Sequence, residues 1–390
     1  MKKFYNMISF SLLSLLFFFF TNSLHAGTRR LNDYGNFKNT TYFELEENKK
    51  KKKNKKKRID TLEDFVEINR IFDGCMRGMK FIKEVKNFKI GPAQKNKFEG
   101  MEVDIEGFFI DKTEITVKEY KKFLSILKYY LDEKKKNNDV FGLSDNDVMD
   151  KYLKKDDNQT DDRFKVHVEW YLNFRKELLD KLSEEYINTM QPDFEVLGND
   201  DFAKKYFNEE TYEDYPIVGI YFSQTEEFNK WRTFYINEYY LKESKRQQRC
   251  FIKFSLPKYT QYTYAASCGD ELGLYGFGTV NVNDKNSAVK ANFSYGQYKN
   301  NDIGLKSVYS YSANEWDLYD MSGNVYEWLD DNEENYFSSQ KDKKNEELKM
   351  ITGGSWLTPL TDLEIGKYRN VHILETRKDL GFRSVAEIVF

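Results

Sequence analysis

The first half of the chain alternates apolar and polar positions in two different periods. Residues 81–91 predict a pair of strands, and the apolar run 107–111 predicts a third strand. Thr116 and Glu119 have the spacing of a capping box, in which each side chain satisfies an amide at the start of a helix. Apolar side chains then recur every three or four positions, which predicts a helix with one buried face. Its buried positions are Val117, Tyr120, Phe123, Leu124 and Leu127.

The middle of the chain is charge-rich, and we interpret residues 131–210 as an insert. Residues 216–220 predict a buried strand, a second capping box at Ser223 and Glu226 predicts a helix, and Leu256-Pro257 predicts the start of another helix. From Gly269 onward, glycines, asparagines and short apolar runs predict a loop-rich half. Helical spacing places Trp170, Tyr171, Phe174, Leu178 and Leu182 on one face in the insert, and Phe228, Trp231 and Tyr235 on another after Glu226.

The N-terminal residues predict export. Lys2 and Lys3 precede an apolar stretch that is short for a membrane span, and Ala26 ends a plausible cleavage site, so residues 1–26 are typical of a signal peptide. An uncleaved anchor is the alternative. No cysteine follows the apolar stretch, so the sequence does not support a lipid anchor. We expect a polar linker over residues 27–70, a domain over 71–390, and a location in the periplasm or on the periplasmic face of an outer membrane.

Composition and charge narrow the class of protein. The 390 residues are 17% aromatic and only 5 are proline, which favours a well-filled core over a low-complexity chain. The formal net charge is -3, but basic residues concentrate in an almost unbroken run at Lys49–Arg58. Such a run is typical of a solvated linker, and the alternative is contact with a membrane surface or an acidic partner. No nucleic-acid partner is predicted.

Few residues are available for soft-metal or nucleophilic chemistry. The chain has three cysteines and three histidines, and one of those histidines precedes the predicted cleavage site. A histidine-rich metal centre or a Ser-His-Asp triad is therefore excluded, and no phosphate-binding glycine loop is present. A Cys250–Cys268 disulfide is conceivable in an exported protein, but isolated thiols are favoured because the count is sparse and odd.

Oxygen donors in the loop-rich half match calcium chemistry. Asn324 directly follows Gly323, and Glu327 comes within one turn, while Asn292 and Asp302 are a second candidate pair. Amide, carboxylate and backbone oxygens are the ligands that Ca²⁺ prefers. The alternative is that these residues cap turns, which asparagine and aspartate often do.

A series of motifs resembles the sulfatase-modifying-factor family, which includes the formylglycine-generating enzymes. The resemblance implies an α+β, C-type-lectin-like sulfatase-modifying-factor fold, loop-rich with short strands and a few amphipathic helices. It also implies up to two structural calcium sites, one with Asn292 and Asp302 and one with Asn324 and Glu327. The matching pieces are Gly78-Met79, residues 109–116, 215–219, Leu256-Pro257, 264–266, Ala291-Asn292, 318–328, 353–356 and 381–383.

The catalytic part of the resemblance is missing. The oxidases of this family hold copper with two thiolates shortly after the Gly-Gly-Ser motif, whereas this chain has Thr358 and Leu363 there. Neither side chain ligates Cu(I). The three-histidine iron site of the sulfoxide synthases is lacking too. We therefore expect no catalytic residues and no copper, and we interpret Ser355 and Arg383 as turn and ion-pair residues.

The insert and the Trp231-Arg232-Thr233 helix resemble gliding-motility and type IX secretion lipoproteins of the GldK and GldJ kind. That resemblance implies a non-enzymatic component of a multi-subunit envelope assembly, with other secretion or motility proteins as partners. One alternative is an enzyme of the sulfatase-modifying-factor type acting on protein cysteine. Another is a glycan-binding module. The tryptophans Trp231, Trp316, Trp328 and Trp356 are interpreted as core residues.

Overall fold

The computed structural model describes residues 78–90, 97–136, 144–153, 162–198, 200–243, 250–271, 273–277, 290–294, 304–332 and 347–389. The predicted signal peptide, the linker with Lys49–Arg58, Cys75 and Asp302 lie outside these ranges. In the described ranges, no helix combines the length and the apolar character that a membrane crossing requires.

Short strands and amphipathic helices alternate in the described part of the chain. The helices are α1 (Val117–Lys135), α2 (Asp145–Leu153), α3 (Asp162–Lys181), α4 (Glu184–Thr189), α5 (Asp200–Asn208), α6 (Phe222–Glu243) and α7 (Tyr259–Ser267). The strands are β1 (Met79–Ile82), β2 (Val85–Lys89), β3 (Glu102–Ile105), β4 (Phe108–Asp111), β5 (Phe251–Ser255), β6 (Tyr326–Trp328), β7 (Leu348–Thr352), β8 (Tyr368–His372), β9 (Leu380–Gly381) and β10 (Val385–Val389). Short 3-10 turns occupy Phe194–Leu197, Glu210–Tyr212 and Leu360–Leu363.

Two four-stranded sheets and one two-stranded sheet connect distant parts of the sequence. The first has the order β1-β4-β10-β5, so the last strand of the chain lies between two early ones. The second has the order β8-β7-β6-β9, in which β6 and β9 run parallel. The two-stranded sheet joins β2 to β3 across an irregular register. The mixed α+β, loop-rich class predicted from the sequence is confirmed.

Helices α1 and α6 form the larger core. The capping box of α1 is present, because Thr116 accepts from the amide of Glu119 while Glu119 accepts from the amide of Thr116. Helix α6 is buried around most of its surface, and a helix with that property must lie inside a domain rather than on it. Its predicted stripe is confirmed at Phe228, Trp231 and Tyr235.

The predicted insert is largely helical and contributes to this core. The buried residues Leu178 of α3, Ile187 of α4 and Tyr206 of α5 belong to the same apolar cluster as α1 and α6. Trp170, which shares the helical spacing, faces outward and stacks on Phe174 with ring centroids 5.2 Å apart. Packing of these helices therefore forms part of the domain's main core.

Four local predictions were wrong. Strands β1 and β2 exist but do not pair with each other, since β1 joins β4 and β2 joins β3. Residues 216–220 are buried without forming a strand, because Gly219 turns into the left-handed region at φ 71° and leaves only an isolated bridge at Pro216.

The other two errors concern helix starts. Helix α6 begins at Phe222, before the predicted cap at Ser223, and the side chain of Gln224 accepts from the amide of Tyr221 instead. Helix α7 begins at Tyr259 and is capped by Lys258, so Pro257 precedes the helix.

Candidate functional site

A buried ion pair between Glu327 and Arg383 lies where the two halves of the chain meet. Strand β6 carries Glu327, and Arg383 follows β9, which pairs with β6 through Gly381. Arg383 Nε donates to Glu327 Oε2 at 2.7 Å, and an Nη donates to Oε1 at 2.8 Å. Both side chains are fully buried. This two-point geometry is the strong form of an arginine–carboxylate contact.

Further hydrogen bonds connect this pair to other segments. Arg383 donates to the backbone carbonyls of Asp111 at 3.1 Å and Tyr319 at 2.9 Å. The hydroxyl of Tyr262, on α7, lies 3.1 Å from Glu327 Oε1. The arginine thus fixes β4, α7 and the loop before β6 relative to one another, as expected for the ion-pair role that we gave it.

Two further carboxyl groups lie in the electrostatic neighbourhood of Arg383. Glu114 is 0% exposed and Asp320 is 8% exposed. Both oxygens of Glu114 and Oδ2 of Asp320 have no hydrogen-bond partner among the described residues. Burial, together with the charges of Asp320 and Glu327, raises the pKa of Glu114 well above its usual range. Burial raises the pKa of Asp320 to about 7, so this centre can hold protons near neutral pH.

A second buried ion pair lies next to the first, since Asp111, whose carbonyl accepts from Arg383, also binds Arg232. Arg232, on α6, donates to both oxygens of Asp111 at 2.7 and 2.8 Å, and both side chains are buried. The guanidinium also lies 4.4 Å from the ring centre of Phe254. The Trp231-Arg232-Thr233 segment therefore makes internal contacts: the amide of Phe254 donates to the Thr233 hydroxyl.

Asn292 and Asn324, predicted as members of separate calcium sites, lie side by side. Asn292 Nδ2 donates to Asn324 Oδ1 at 3.1 Å and to the Gly304 carbonyl at 2.6 Å. Asn324 Oδ1 also accepts from the amide of Lys306, and Asn324 Nδ2 donates to the Lys306 carbonyl. Several oxygens thus converge on the two amide groups. Asn324 Oδ1 is shared by two donors, and the carbonyl oxygens of Gly304 and Lys306 face the two Nδ2 groups.

The predicted pairing of Asn324 with Glu327 does not match these contacts. Both oxygens of Glu327 accept from Arg383, and a guanidinium at that distance opposes a second cation. Asp302 lies outside the described residues, so the pairing of Asn292 with Asp302 stays a prediction. Within the described ranges, no three His, Cys, Asp or Glu side chains are grouped closely enough to hold a metal.

The segment after the Gly-Gly-Ser motif is occupied by internal contacts. Ser355 donates to Asp379 at 2.7 Å, and its amide donates to the hydroxyl of Thr358 at 2.9 Å. Leu363 is fully buried beside Tyr275. Ser355 is therefore a turn residue, as predicted, and the side chains at the two thiolate positions are a backbone-bound hydroxyl and a core leucine.

The aromatic and sulfur residues follow the sequence predictions where the structure describes them. Trp231, Trp328 and Trp356 are buried, and the half-buried Trp316 packs edge-on against Tyr264. Cys250 precedes β5, Cys268 ends α7, and the two are not joined in a disulfide.

Sequence reasoning missed the roles of Glu114 and Asp320. Glu114 stands between buried Thr113 and Ile115, and Asp320 stands between Tyr319 and buried Met321. Neither carboxyl group lies in an apolar run, so local sequence gives no clear signal of its burial. Local sequence also does not predict that Glu114 and Asp320 lie near each other, because they are about 200 residues apart in sequence.

Comparison with known proteins gives a family and a fold. No curated protein sequence matches this chain. The structure is similar to Treponema denticola variable protein 1, with 15% identity, a TM-score of 0.45, and coverage of 79% of this chain and 94% of that chain. It is also similar to PvdO from Pseudomonas aeruginosa (16%, TM-score 0.47, 79% and 94%) and to CarF (14%, TM-score 0.43, 79% and 97%).

The family assignment comes from the sequence. The profile of the FGE-sulfatase family, described as the sulfatase-modifying factor enzyme 1-like domain, matches residues 84–388. That range begins between β1 and β2 and ends within β10, so it includes every helix described above and every strand from β2 onward. This chain belongs to the FGE-sulfatase family of sulfatase-modifying factor enzyme 1-like domains.

Proposed function

We propose that this chain is a non-catalytic, partner-binding member of its family. It would be a component of an exported envelope assembly of the gliding-motility or type IX secretion kind. The observation that carries the proposal is the chemistry after the Gly-Gly-Ser motif. Thr358 is hydrogen-bonded to the backbone of Ser355, and Leu363 is buried in the core. Neither offers the thiolate that copper-dependent cysteine oxidation requires.

The insert supports a binding role. Its helices α3, α4 and α5 share the core of α1 and α6, which holds their outward faces in fixed positions. Large apolar side chains such as Val166 and Trp170 remain on the surface of α3. Rigid elements that expose aromatic side chains are typical of protein interfaces. The proposed envelope location rests on the N-terminal export signal and on the resemblance of the insert to motility lipoproteins.

The proposal is tested by recovering the tagged protein from envelopes of its native host after mild crosslinking. We expect secretion or motility subunits to be recovered at defined stoichiometry, and variants with altered insert surfaces to lose them. Recovery of the protein alone would contradict the proposal. A free monomer trapped with cysteine-containing peptides would instead favour the enzymatic alternative.

The enzymatic alternative has its own test. The purified protein is loaded with Cu(I), washed and assayed for bound copper and for oxidation of a cysteine-containing peptide. We expect no stoichiometric copper. If copper binds, Cys250→Ser and Cys268→Ser variants would show whether the described cysteines account for it. Specific retention on a glycan array would favour the third hypothesis, a glycan-binding module.

We also propose a structural calcium site at Asn292 and Asn324, completed by loop oxygens such as the Gly304 carbonyl and by Asp302. The converging oxygens around the two amides support it. A metal bound only by the folded state stabilises by about 2.7 kcal/mol at a hundredfold excess over its Kd. We expect added Ca²⁺ to raise the Tm of the wild type and to have no effect on Asn324→Ala.

The control variant for this experiment is Asn87→Ala. Asn87 and Asn324 both have positive φ, 55° and 62°, so alanine introduces similar backbone strain at each position. Asn87 lies in the exposed β2–β3 sheet, and its variant should keep the full calcium response. An equal response in wild type and Asn324→Ala would make Asn324 a turn residue only.

A further inference from the structure

A cavity of about 340 Å³ opens at the surface between the start of α6 and the turn that follows β8. Phe222, the first residue of α6, and Ile373 provide apolar walls. Glu226 and Lys349 provide charged groups, and Leu374 stands at the edge. The volume is within the range of pockets that bind small molecules or single side chains.

Leu374 is placed unusually for an apolar residue. Its exposed fraction is 70%, higher than that of the other exposed large apolar residues in the described ranges. The turn that carries it is held in place, because its amide donates to the ring of His372 at 3.1 Å. Phe222, by contrast, is buried and packs edge-on against Trp328, so the wall opposite the turn is rigid. Phe222, Ile373 and Leu374 line the same cavity and together give an apolar contact surface for a partner.

The charges around the cavity leave one carboxylate without a cation. Lys349 Nζ lies 3.3 Å from Asp330 and 4.6 Å from the ring centre of Phe222, so its charge already has partners. Glu226 has no ion pair with any residue that the structure describes, although Lys230 and Lys349 lie within electrostatic range. Lys230 is itself paired with Glu227, at 2.7 Å. Glu226 is exposed, so its carboxylate is accessible to a cation carried by a partner.

We propose that this cavity is a docking site for a partner polypeptide, which inserts one apolar side chain between Phe222 and Ile373 and places an adjacent arginine or lysine on Glu226. The inference rests on the proposed partner-binding function and names the surface and the chemistry of the partner. Charge complementarity selects a basic segment over an acidic one. The exposed Leu374 packs on the inserted side chain and excludes water from the ion pair.

The test uses three fluorescein-labelled nonapeptides in a Gly-Ser background, titrated into the full chain by fluorescence anisotropy. The first carries leucine followed by two arginines, the second replaces the leucine by serine, and the third replaces the arginines by glutamates. We expect the first peptide to saturate below about 1 mM and to bind at least tenfold more tightly than the others. Its affinity should decrease with added salt, because part of it is electrostatic.

Variants assign the binding to this cavity. Glu226→Lys and Leu374→Ser should each weaken the first peptide at least tenfold without changing the Tm appreciably. Matched controls are Glu185→Lys, which also reverses an exposed glutamate on a helix, and Leu357→Ser, which removes another exposed leucine. Both controls should bind as the wild type does. No saturation below about 1 mM, equal affinity for all three peptides, or equal losses in the controls would overturn the proposal.

The same variants separate this inference from the proposed function. If the wild type recovers envelope partners after crosslinking and Glu226→Lys recovers them equally, the docking site is wrong and the partner-binding function stands. If the wild type recovers none, the proposed function fails whatever the peptides do. Loss of partners in Glu226→Lys but not in Glu185→Lys, together with the peptide result, supports both.

Discussion

The molecule buries two arginine–carboxylate pairs, and they differ in the charge around them. Arg232 meets Asp111 through two hydrogen bonds in the β4–α6 region, and one further carboxyl group, Glu119, lies within electrostatic range and accepts from the amide of Thr116. Arg383 makes the same two-point contact with Glu327, but two further carboxyl groups, Glu114 and Asp320, are within its electrostatic neighbourhood. Among the described residues the further carboxyl group of the first region is hydrogen-bonded, whereas those of the second have oxygens without a hydrogen-bond partner.

The difference decides which carboxyl groups carry charge. A buried carboxylate is tolerated when a guanidinium satisfies both oxygens, and an unpartnered one is stabilised by taking up a proton instead. Glu114 has no hydrogen-bond partner in the described part of the chain, and its pKa is raised by burial and by its acidic neighbours. Burial in the Arg383 region therefore favours the protonated form of its two further carboxyl groups, while in the Arg232 region hydrogen bonds from Thr116 favour the charged form of Glu119.

Removing each arginine gives the largest expected effect. Breaking a buried pair by deleting one partner typically costs about 3–5 kcal/mol, because the other charge is left buried. We expect Arg232→Met to show a loss of this size and Arg383→Met to lose more or to fail to fold, since several carboxyl groups lose their cation. Urea unfolding with matched m-values measures the difference. A smaller loss for Arg383→Met would contradict this order.

Replacing one carboxyl group in each region by its amide should give different losses in the free energy of unfolding. Asp111→Asn leaves Arg232 without its counter-charge and should cost about 3 kcal/mol or more. Glu114→Gln replaces a group whose neutral form is favoured by burial, so we expect a change below about 1 kcal/mol. The measurement is the free energy of unfolding of both variants at pH 7. Similar losses in the two variants would mean that Glu114 is ionised.

The third prediction is a dependence of stability on pH. A carboxyl group whose pKa is raised on folding stabilises fully below its unfolded value and loses that contribution as the pH rises through its folded value. For Asp320, with a folded pKa of about 7, the loss falls between about pH 4 and pH 7, and the raised pKa of Glu114 acts in the same direction. Each excess proton bound by the folded state changes the free energy of unfolding by about 1.4 kcal/mol per pH unit.

We therefore expect the wild type to be more stable at pH 6 than at pH 8, as measured by urea unfolding at both values. Glu114→Gln should show a shallower dependence, because one of the titrating groups is removed. Glu185→Gln, at an exposed position on α4, is the control and should retain the wild-type slope. A stability that rises between pH 6 and pH 8 would refute the protonated state.

Local sequence patterns predicted the helices well. Thr116 and Glu119 fix the start of α1 because a capping box involves only neighbours in sequence. The stripe of Phe228, Trp231 and Tyr235 follows from helical periodicity alone. The strand predicted at Pro216–Ile220 was wrong. An apolar run predicts burial, but it does not specify whether a neighbouring strand exists to pair with it.

The candidate site was predicted only in part. The sequence identified Asn292, Asn324, Glu327 and Arg383 as residues of interest, but it grouped them by proximity along the chain. The fold regroups them, placing Asn292 with Asn324 and Glu327 with Arg383. Both contacts join residues that are tens of positions apart, and such contacts depend on how loops and strands pack rather than on local spacing.

The sequence by itself determined the family, the mixed fold class, the main amphipathic helices and the absence of thiols at the two positions after Gly354. Those features depend on residue identity and on short-range periodicity. Only the tertiary structure decided that β10 lies between β4 and β5, and that Glu114 and Asp320 come close to Arg383. Strand order and the proton-holding charge centre arise from burial and long-range proximity, which set local solvation and pKa and which no local window of sequence contains.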